Sequence, residues 1–576
     1  MKPIFAILAW TFFALPLLGK NIYVHHSVNI ISNNTYYYNP PVGNPITTPI
    51  LPGDRLVLLP DPNSTDNSRI HLQLNNVVGA PGLPIEIANP YNTVININPD
   101  HTYGIYLNNC KFIKINGNGV STNKSDDRFY GIQIRIKKAG QSIKAEKGSS
   151  FIDVNRVWAD VNPNIPDSLN SPAFLFKSNA ICVDSVVYYS EKTFLMQDVF
   201  VRNCRISNAS GEAIYIGETS KGNKTPCMIK TQIELSFNDY TGELIDIKKQ
   251  TVNQSTNVIK PHYIDNVQIQ NNIIEDCGWD AIQISRAHNF VVSHNEIYNY
   301  GTKDHDSHKS GIIIGEGASG DIFNNLIYRG SGWGIQARPS GNLRIFNNYL
   351  VESGHTGAWP KGKYHAAINT HTINLNKSFA YGANSIGEKT ISIAHNLVVR
   401  PIDVGIRMNC DGCRSNGIPI LQDQYEGVLI GNVVLQPIIK NTGLNVARIQ
   451  SGADDNDMNN GYPLHRDYRK ANLTYYNPAD AKLQDISNSD PTKWDITPTK
   501  NSPLIDKAPI MPENNVPYED FYGNIRPPYV PVKVSYFQGS GSAPDFGPVE
   551  RIISHITEIP SLSPSSVRTS NKTNQF

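Results

Sequence analysis

Three groups of residues in this chain have the types and spacing to do chemistry. Arg338 and His371 each stand three positions after an isoleucine in a recurring small-Ile-x segment, Gly334-Ile335-Gln336-Ala337 and Ala367-Ile368-Asn369-Thr370. Imidazole titrates near neutrality and can take a proton, while a guanidinium can hold a carboxylate bidentately as negative charge develops on it. The pair therefore suits proton abstraction beside a carboxylate, with Lys309 or Tyr364 to protonate a leaving group. A second group, Gln283, Gln336, Asn369 and Arg407, falls in the neighbouring column of the same segments and offers a hydrogen-bonding stripe, with Trp333 adding an aromatic face. The third is the run Lys303-Asp304-His305-Asp306-Ser307-His308-Lys309, followed by Glu316. Asp304, Asp306 and Glu316 are hard oxygen donors that suit Ca²⁺, and the same Asp-His-Asp order can supply a general acid and base. A carboxylate pair for glycoside hydrolysis is also available among Glu212, Asp280 and Glu316, although sequence spacing does not fix its separation.

What could position these residues is a repeat. Between about residues 196 and 440 a unit x-N-x-I recurs at Asn272, Asn295, Asn325, Asn348, Asn396 and Asn432, with Cys204-Arg205-Ile206 in the same slot. The nearest copies lie 23 residues apart, about one coil of a parallel β-helix, and longer gaps imply inserted loops. A second strand follows each unit: Ala213-Ile214-Tyr215-Ile216, Ala281-Ile282-Gln283-Ile284, Gly311-Ile312-Ile313-Ile314 and the copies at 334, 367 and 405. Side chains alternate across a strand, so the Ile column points inward and the next column outward. Stacked coils would turn the asparagines into a ladder of amides, and would bring Arg338 and His371 to about 5 Å if their coils are consecutive.

Composition narrows the classes. Hydrophobic residues make up 39% and charged residues 18% of the 576, and short Ile/Val runs bounded by Asn, Gly and Asp favour an all-β chain. A formal charge of +1 without a basic run argues against nucleic acid as partner. Met1-Lys2-Pro3 followed by the apolar stretch Ile4 to Leu18 reads as a secretory signal peptide over 1–19, and no segment is long and apolar enough to span a bilayer. The expected product is secreted or periplasmic and monomeric. Seven scattered cysteines do not make a disulfide framework, and Cys410-x-x-Cys413 lacks the companions of a zinc site.

The repeat, with its Asn-Asn-x-Ile turns, resembles the pectin-lyase-like superfamily of right-handed parallel β-helices. Pro52-Gly53-Asp54-Arg55-Leu56 and the segment from Gly79 to Ile87 are similar to the stretches that open such proteins. Asp520-Phe521-Tyr522-Gly523-Asn524 and Asp545-Phe546-Gly547-Pro548 are similar to a closing segment of bacterial exported members. The resemblance implies a right-handed parallel β-helix solenoid with an N-terminal cap and first strands over 20–100, coils over 101–450, an irregular C-terminal cap over 451–555 and a disordered tail over 556–576. It further implies a carbohydrate-active protein, a polysaccharide lyase on a uronate-containing glycan ahead of a glycoside hydrolase or uronate epimerase, with a non-catalytic glycan-binding or cell-surface protein as the other class. The N-T-D, D-D, G-H-G and R-I-K set of polygalacturonase-type hydrolases is not found in the chain.

Overall fold

The computed structural model describes residues 19–99, 103–166 apart from 139, 171–178, 196–218, 264–315 apart from 304, 306 and 307, 318–337, 342–354, 366–373, 390–411 apart from 403, 426–436, 447–451 and 472–505, with shorter pieces between and after these. Among the described residues the strands form three long sheets of 13, 12 and 14 strands, parallel except where Thr35–Tyr38 pairs antiparallel with Ile30–Ser32 and Ile46–Pro49 at the start of the third. The chain visits them in a fixed order, first, second, third, and then steps to the next coil. One coil is Ile264–Gln270, Ile273–Glu275 and Ile282–Ile284, and the next is Phe290–Ser293, Glu296–Tyr300 and Ile312–Ile314. The winding is that of a right-handed parallel β-helix solenoid. Pairing begins early: Asn21–Val24 already pairs with Arg55–Leu58 in the first sheet, and the last strand of the second sheet is Leu473–Tyr475.

Hydrophobic periodicity explains the tube. In the third sheet Ile214, Ile282, Ile312, Ile335, Ile368 and Ile406 are in register on successive coils, and all six are fully buried. Each such side chain, removed from water, contributes roughly 1.5–3 kcal/mol. The turn from first to second sheet is made by two residues. The first adopts a left-handed conformation, as at Asn271, His294, Asn324, Asn347 and His395, where asparagine carries the least penalty among residues with a side chain. At the next copy Gly431 takes that place at φ +69°, and a Cβ there would lie 2.7 Å from the His395 ring, so only glycine fits.

The second turn residue is the repeated asparagine. Asn272, Asn295, Asn325, Asn348, Asn396 and Asn432 are fully buried and stack as expected. Asn325 shows the pattern: its Nδ2 donates to Asn348 Oδ1 at 2.9 Å and to the Val292 carbonyl at 2.9 Å, while its Oδ1 accepts from the backbone N–H and Nδ2 of Asn295. The ladder runs one step beyond the expected copies, since Asn432 donates to Asn472 Oδ1 at 2.9 Å. It also crosses the 48-residue gap from Asn348 to Asn396 in a single step, so that gap is a loop inserted in one coil.

The first coil is tied down by the Pro-Gly-Asp stretch. Buried Asp54 accepts from the backbone N–H of Lys20 at 3.0 Å and of Leu51 at 2.8 Å. At the other end the segment expected to close the solenoid also lies along its flank. Ala481, Leu483, Trp494, Ile496, Leu504 and Val549 form a second core with Tyr349, Val351, Leu397, Val399, Val433 and Leu435, which point outward from the second sheet. The Asp545 carbonyl meets His395 Nδ1 at 3.0 Å, and the Gly547 N–H donates to the Gly431 carbonyl at 2.7 Å. The C-terminal motif thus seals a turn column. Residues 1–18, expected to be a leader, lie outside the described residues.

Candidate functional site

The residues with the most unusual surroundings stand where the chain enters the third sheet. Glu212 and Asp280 each precede an inward Ile by two positions, and the Ala213 N–H donating to the Asp280 carbonyl sets them on adjacent coils. The same column continues with Ser310 and Trp333. Two carboxyl groups are therefore stacked at a spacing of about 4.8 Å between strands, and both are buried: Asp280 completely, Glu212 to 4% exposure.

A loop brings the third member. Gly301, Thr302 and Lys303 donate their N–H groups to the carbonyls of Trp279, Cys277 and Gly278, so the loop after Tyr300 is pinned to the preceding coil. Lys303 Nζ also donates to the Ile165 carbonyl at 2.8 Å. The loop then turns at His305, whose carbonyl accepts from the His308 N–H at 3.2 Å, and places His308 over the carboxyl pair. His308 Nδ1 lies 3.0 Å from Asp280 Oδ2 and 3.9 Å from Glu212 Oε1. Asp280 Oδ1 accepts from the Ser310 N–H at 2.6 Å, so both oxygens of Asp280 are engaged. Trp279 stacks on the imidazole, with ring centroids 5.1 Å apart and planes at 21°, and His305 approaches the same indole at 4.8 Å.

The electrostatics follow from this burial. Removal from water, reinforced by the neighbouring Asp280 carboxyl, pushes the Glu212 carboxyl up to about 7, against the opposing pull of His308 and Lys177. Glu212 therefore holds its proton to a higher pH than an ordinary glutamate. Asp280 Oδ2 is within hydrogen-bond distance of His308 Nδ1 and so fixes the orientation of the ring. The side chain of His308 is 27% exposed, which makes it the member of the cluster that meets solvent.

The expected site residues are distributed as follows. The amide column is in register: Tyr215, Gln283, Ile313, Gln336, Asn369 and Arg407 follow one another on successive strands and face away from the tube. Each is nevertheless buried, so the stripe is covered and not the open face that alternation alone implies. Gln336 connects to the carboxyl cluster through Ser310, whose Oγ donates to its Oε1 at 3.2 Å. Trp333 is half-buried beside that serine, one coil further on. Lys309 is entirely buried, with Gly301 and Gly332 packed against it. The coils of Arg338 and His371 are consecutive, as Ala337 pairs with Thr370, and His371 pairs with Asn409 in the next strand. Arg338, Tyr364, Asp304, Asp306 and Glu316 lie outside the described residues, as does the side chain of His371. Among the described residues no group of three His, Cys, Asp or Glu side chains is arranged to hold a metal ion, and Cys110, Cys204 and Cys277 are buried free thiols. Glu218 pairs with Lys177 at 3.0 Å.

The union of Asp280 with His308 is what the sequence reading missed. The signal was present in the register: aligning the strands on their Ile column stacks Glu212 on Asp280, two positions upstream of it. His308 stands two positions before the corresponding Ser310 column, and only the folding back of its loop returns it to Asp280.

A family model described as a right-handed beta helix region matches residues 259–418. No curated protein matches the chain. Among solved structures, a GH136 lacto-N-biosidase from Eubacterium ramulus is 14% identical, with 71% of this chain and 68% of that chain covered at a TM-score of 0.35. The pectate lyase Pel9A is 12% identical over 92% of this chain and 96% of its own, at a TM-score of 0.32. A mannuronic acid specific polysaccharide family 6 lyase from human gut microbiota is 12% identical over 70% and 87%, at 0.26. By the order in which its own strands wind, the chain has the fold of a right-handed parallel β-helix, and the family match over its central coils agrees with that fold.

Proposed function

We propose that this chain is an exported carbohydrate-active enzyme, a polysaccharide lyase acting on a uronate-containing glycan, with His308 as its proton-transfer group. One observation carries the reading: an imidazole at the surface is backed by two buried carboxyl groups on adjacent coils. The neutral imidazole of His308 takes the proton from C5 of the uronate. The electron pair of that C–H bond forms the C4=C5 double bond, and the C4–O bond breaks with its electrons on the leaving oxygen. The imidazolium then returns the proton to that oxygen from the same side, and the free base is restored. Asp280 holds the ring, and the Glu212 carboxyl 3.9 Å from it balances the imidazolium charge while it exists. Half-buried Trp279 and Trp333 flank the position and suit pyranose faces.

Elimination is favoured over glycoside hydrolysis because a hydrolase needs a carboxylate that reaches the anomeric carbon or a water beside it. Asp280 has both oxygens committed and no exposed surface, and Glu212 is nearly as enclosed. The test is a panel of acidic and neutral polysaccharides, read both by the absorbance of unsaturated products and by new reducing ends. Unsaturated ends from a uronate polymer, lost in His308→Ala and kept in His371→Ala, are the expected result. Reducing ends without unsaturation would assign hydrolysis instead. Loss in His371→Ala or Arg338→Ala, with His308→Ala active, would move the centre to the strand exits.

A further inference from the structure

A second feature of the third sheet lies on the N-terminal side of the carboxyl cluster, and it rests on the reading just given. Two sets of the same three residue types occur there on adjoining coils. In one, Lys144 Nζ lies 5.1 Å from the centroid of the Tyr106 ring and 3.0 Å from Glu146, whose Oε1 also accepts from the Tyr106 hydroxyl. In the other, Lys177 Nζ lies 4.2 Å from the Tyr215 centroid and 3.0 Å from Glu218. The register places Lys144 opposite Leu175 and Glu146 opposite Lys177, so the two ammonium groups are staggered by one coil and two residues on one outward face. That offset is about 8 Å between Cα atoms, from the strand spacing and the rise per residue. The second set adjoins the coil of Glu212, and the charge of Lys177 reaches that carboxyl.

Both lysines keep 20–25% of their side chains exposed, while their glutamates keep only 11–13%. Each ammonium is thus cradled by a carboxylate and an aromatic ring, on a side chain that still meets solvent in part. The same cradle of lysine, glutamate and tyrosine repeats at two consecutive coils. We propose that these two cradles are subsites that read the carboxylates of non-reacting uronates, so that the glycan runs from His308 toward the N-terminal coils. Lys177 serves the nearer acidic sugar and Lys144 the farther one, and the enzyme gains from chains long enough to reach both.

The experiment uses the full chain with oligogalacturonates and oligomannuronates of graded length, comparing KM and kcat for the wild type, Lys177→Met, Lys177→Arg and Lys144→Met. Loss of one charge-assisted contact is expected to raise KM about tenfold for Lys177→Met, with kcat affected far less. Lys144→Met should raise KM only for the longer oligomers, and Lys177→Arg, which keeps the charge, should stay near the wild type. That last variant guards against a loss of folding being read as a loss of binding. If the wild type produces unsaturated ends from these oligomers while neither methionine variant changes KM, the cradles are structural and the proposal is overturned, with the His308 reading intact. If the wild type cleaves only neutral glycans, both readings fall together.

Discussion

At the scale of single residues, the chemistry depends on how a buried carboxyl behaves. Glu212 has its pKa raised from an ordinary glutamate value to about 7, chiefly by burial. Its folded form therefore binds a proton more tightly than the unfolded chain does. The stability this provides is complete below about pH 4.5 and is lost as pH rises through about 7, a change of about 3 kcal/mol for so buried a group. Glu212→Gln should abolish that slope: urea midpoints at pH 5 and pH 8 should converge in the variant and differ in the wild type. An unchanged pH dependence would mean that Glu212 ionises normally. His308→Ala removes the group that meets solvent but leaves Asp280 with its Ser310 bond, so activity should fall by about 10²- to 10⁴-fold with little change in melting temperature. A fall in activity matched by a fall in folded fraction would reduce His308 to a packing role.

At the scale of elements, the asparagine ladder was the most legible part of the chain, because one side chain meets one fixed need. The turns between the first and second sheets leave inner backbone groups that must be paired away from water, and an amide can donate to one coil while it accepts from the next. Hence the same residue recurs, and Asn272, Asn295, Asn325 and Asn348 were recognisable by their setting alone. The strand entrances carry no such requirement. Glu212, Asp280, Ser310 and Trp333 share one structural position and have nothing in common as residues, so no repeat reveals them. The cover over Gln283, Gln336 and Asn369 was equally hidden, since alternation tells which way a side chain points and not what lies above it. The ladder makes its own prediction. Asn325→Ala strips partners from the Val292 carbonyl and from the N–H and Nδ2 of Asn295, all fully buried. With about 1–3 kcal/mol for each group left unpaired, the loss should be at least about 3 kcal/mol by denaturant titration. A variant within 1 kcal/mol of the wild type would show that water enters the turn and replaces the amide.

At the scale of the molecule, a solenoid contacts itself mainly between neighbouring coils, so damage at one place stays local. The C-terminal segment supplies a test of this. Trp494 is 6% exposed in the second core, donates its indole N–H to the Asn488 carbonyl at 2.7 Å, and has Arg400 5.7 Å above its ring. It shares that core with Tyr349, Val351, Leu397 and Val399 on the outer face of the second sheet, and the Tyr349 hydroxyl bonds the Pro491 carbonyl. The acid–base cluster of Glu212, Asp280 and His308 belongs to earlier coils and to the entrance of a different sheet. Trp494→Ala creates a cavity of the size that costs about 3–5 kcal/mol, and that cost falls on the segment and the coils it covers. Limited proteolysis should therefore cut the variant within residues 477–508 at conditions where the wild type is intact. The coils carrying His308 should melt close to their original temperature, and turnover on the polysaccharide found by the panel should persist below the new, lower transition. If instead activity and the whole of the β signal are lost in one step with the segment, the solenoid folds as a single cooperative unit and the C-terminal flank supports the site directly.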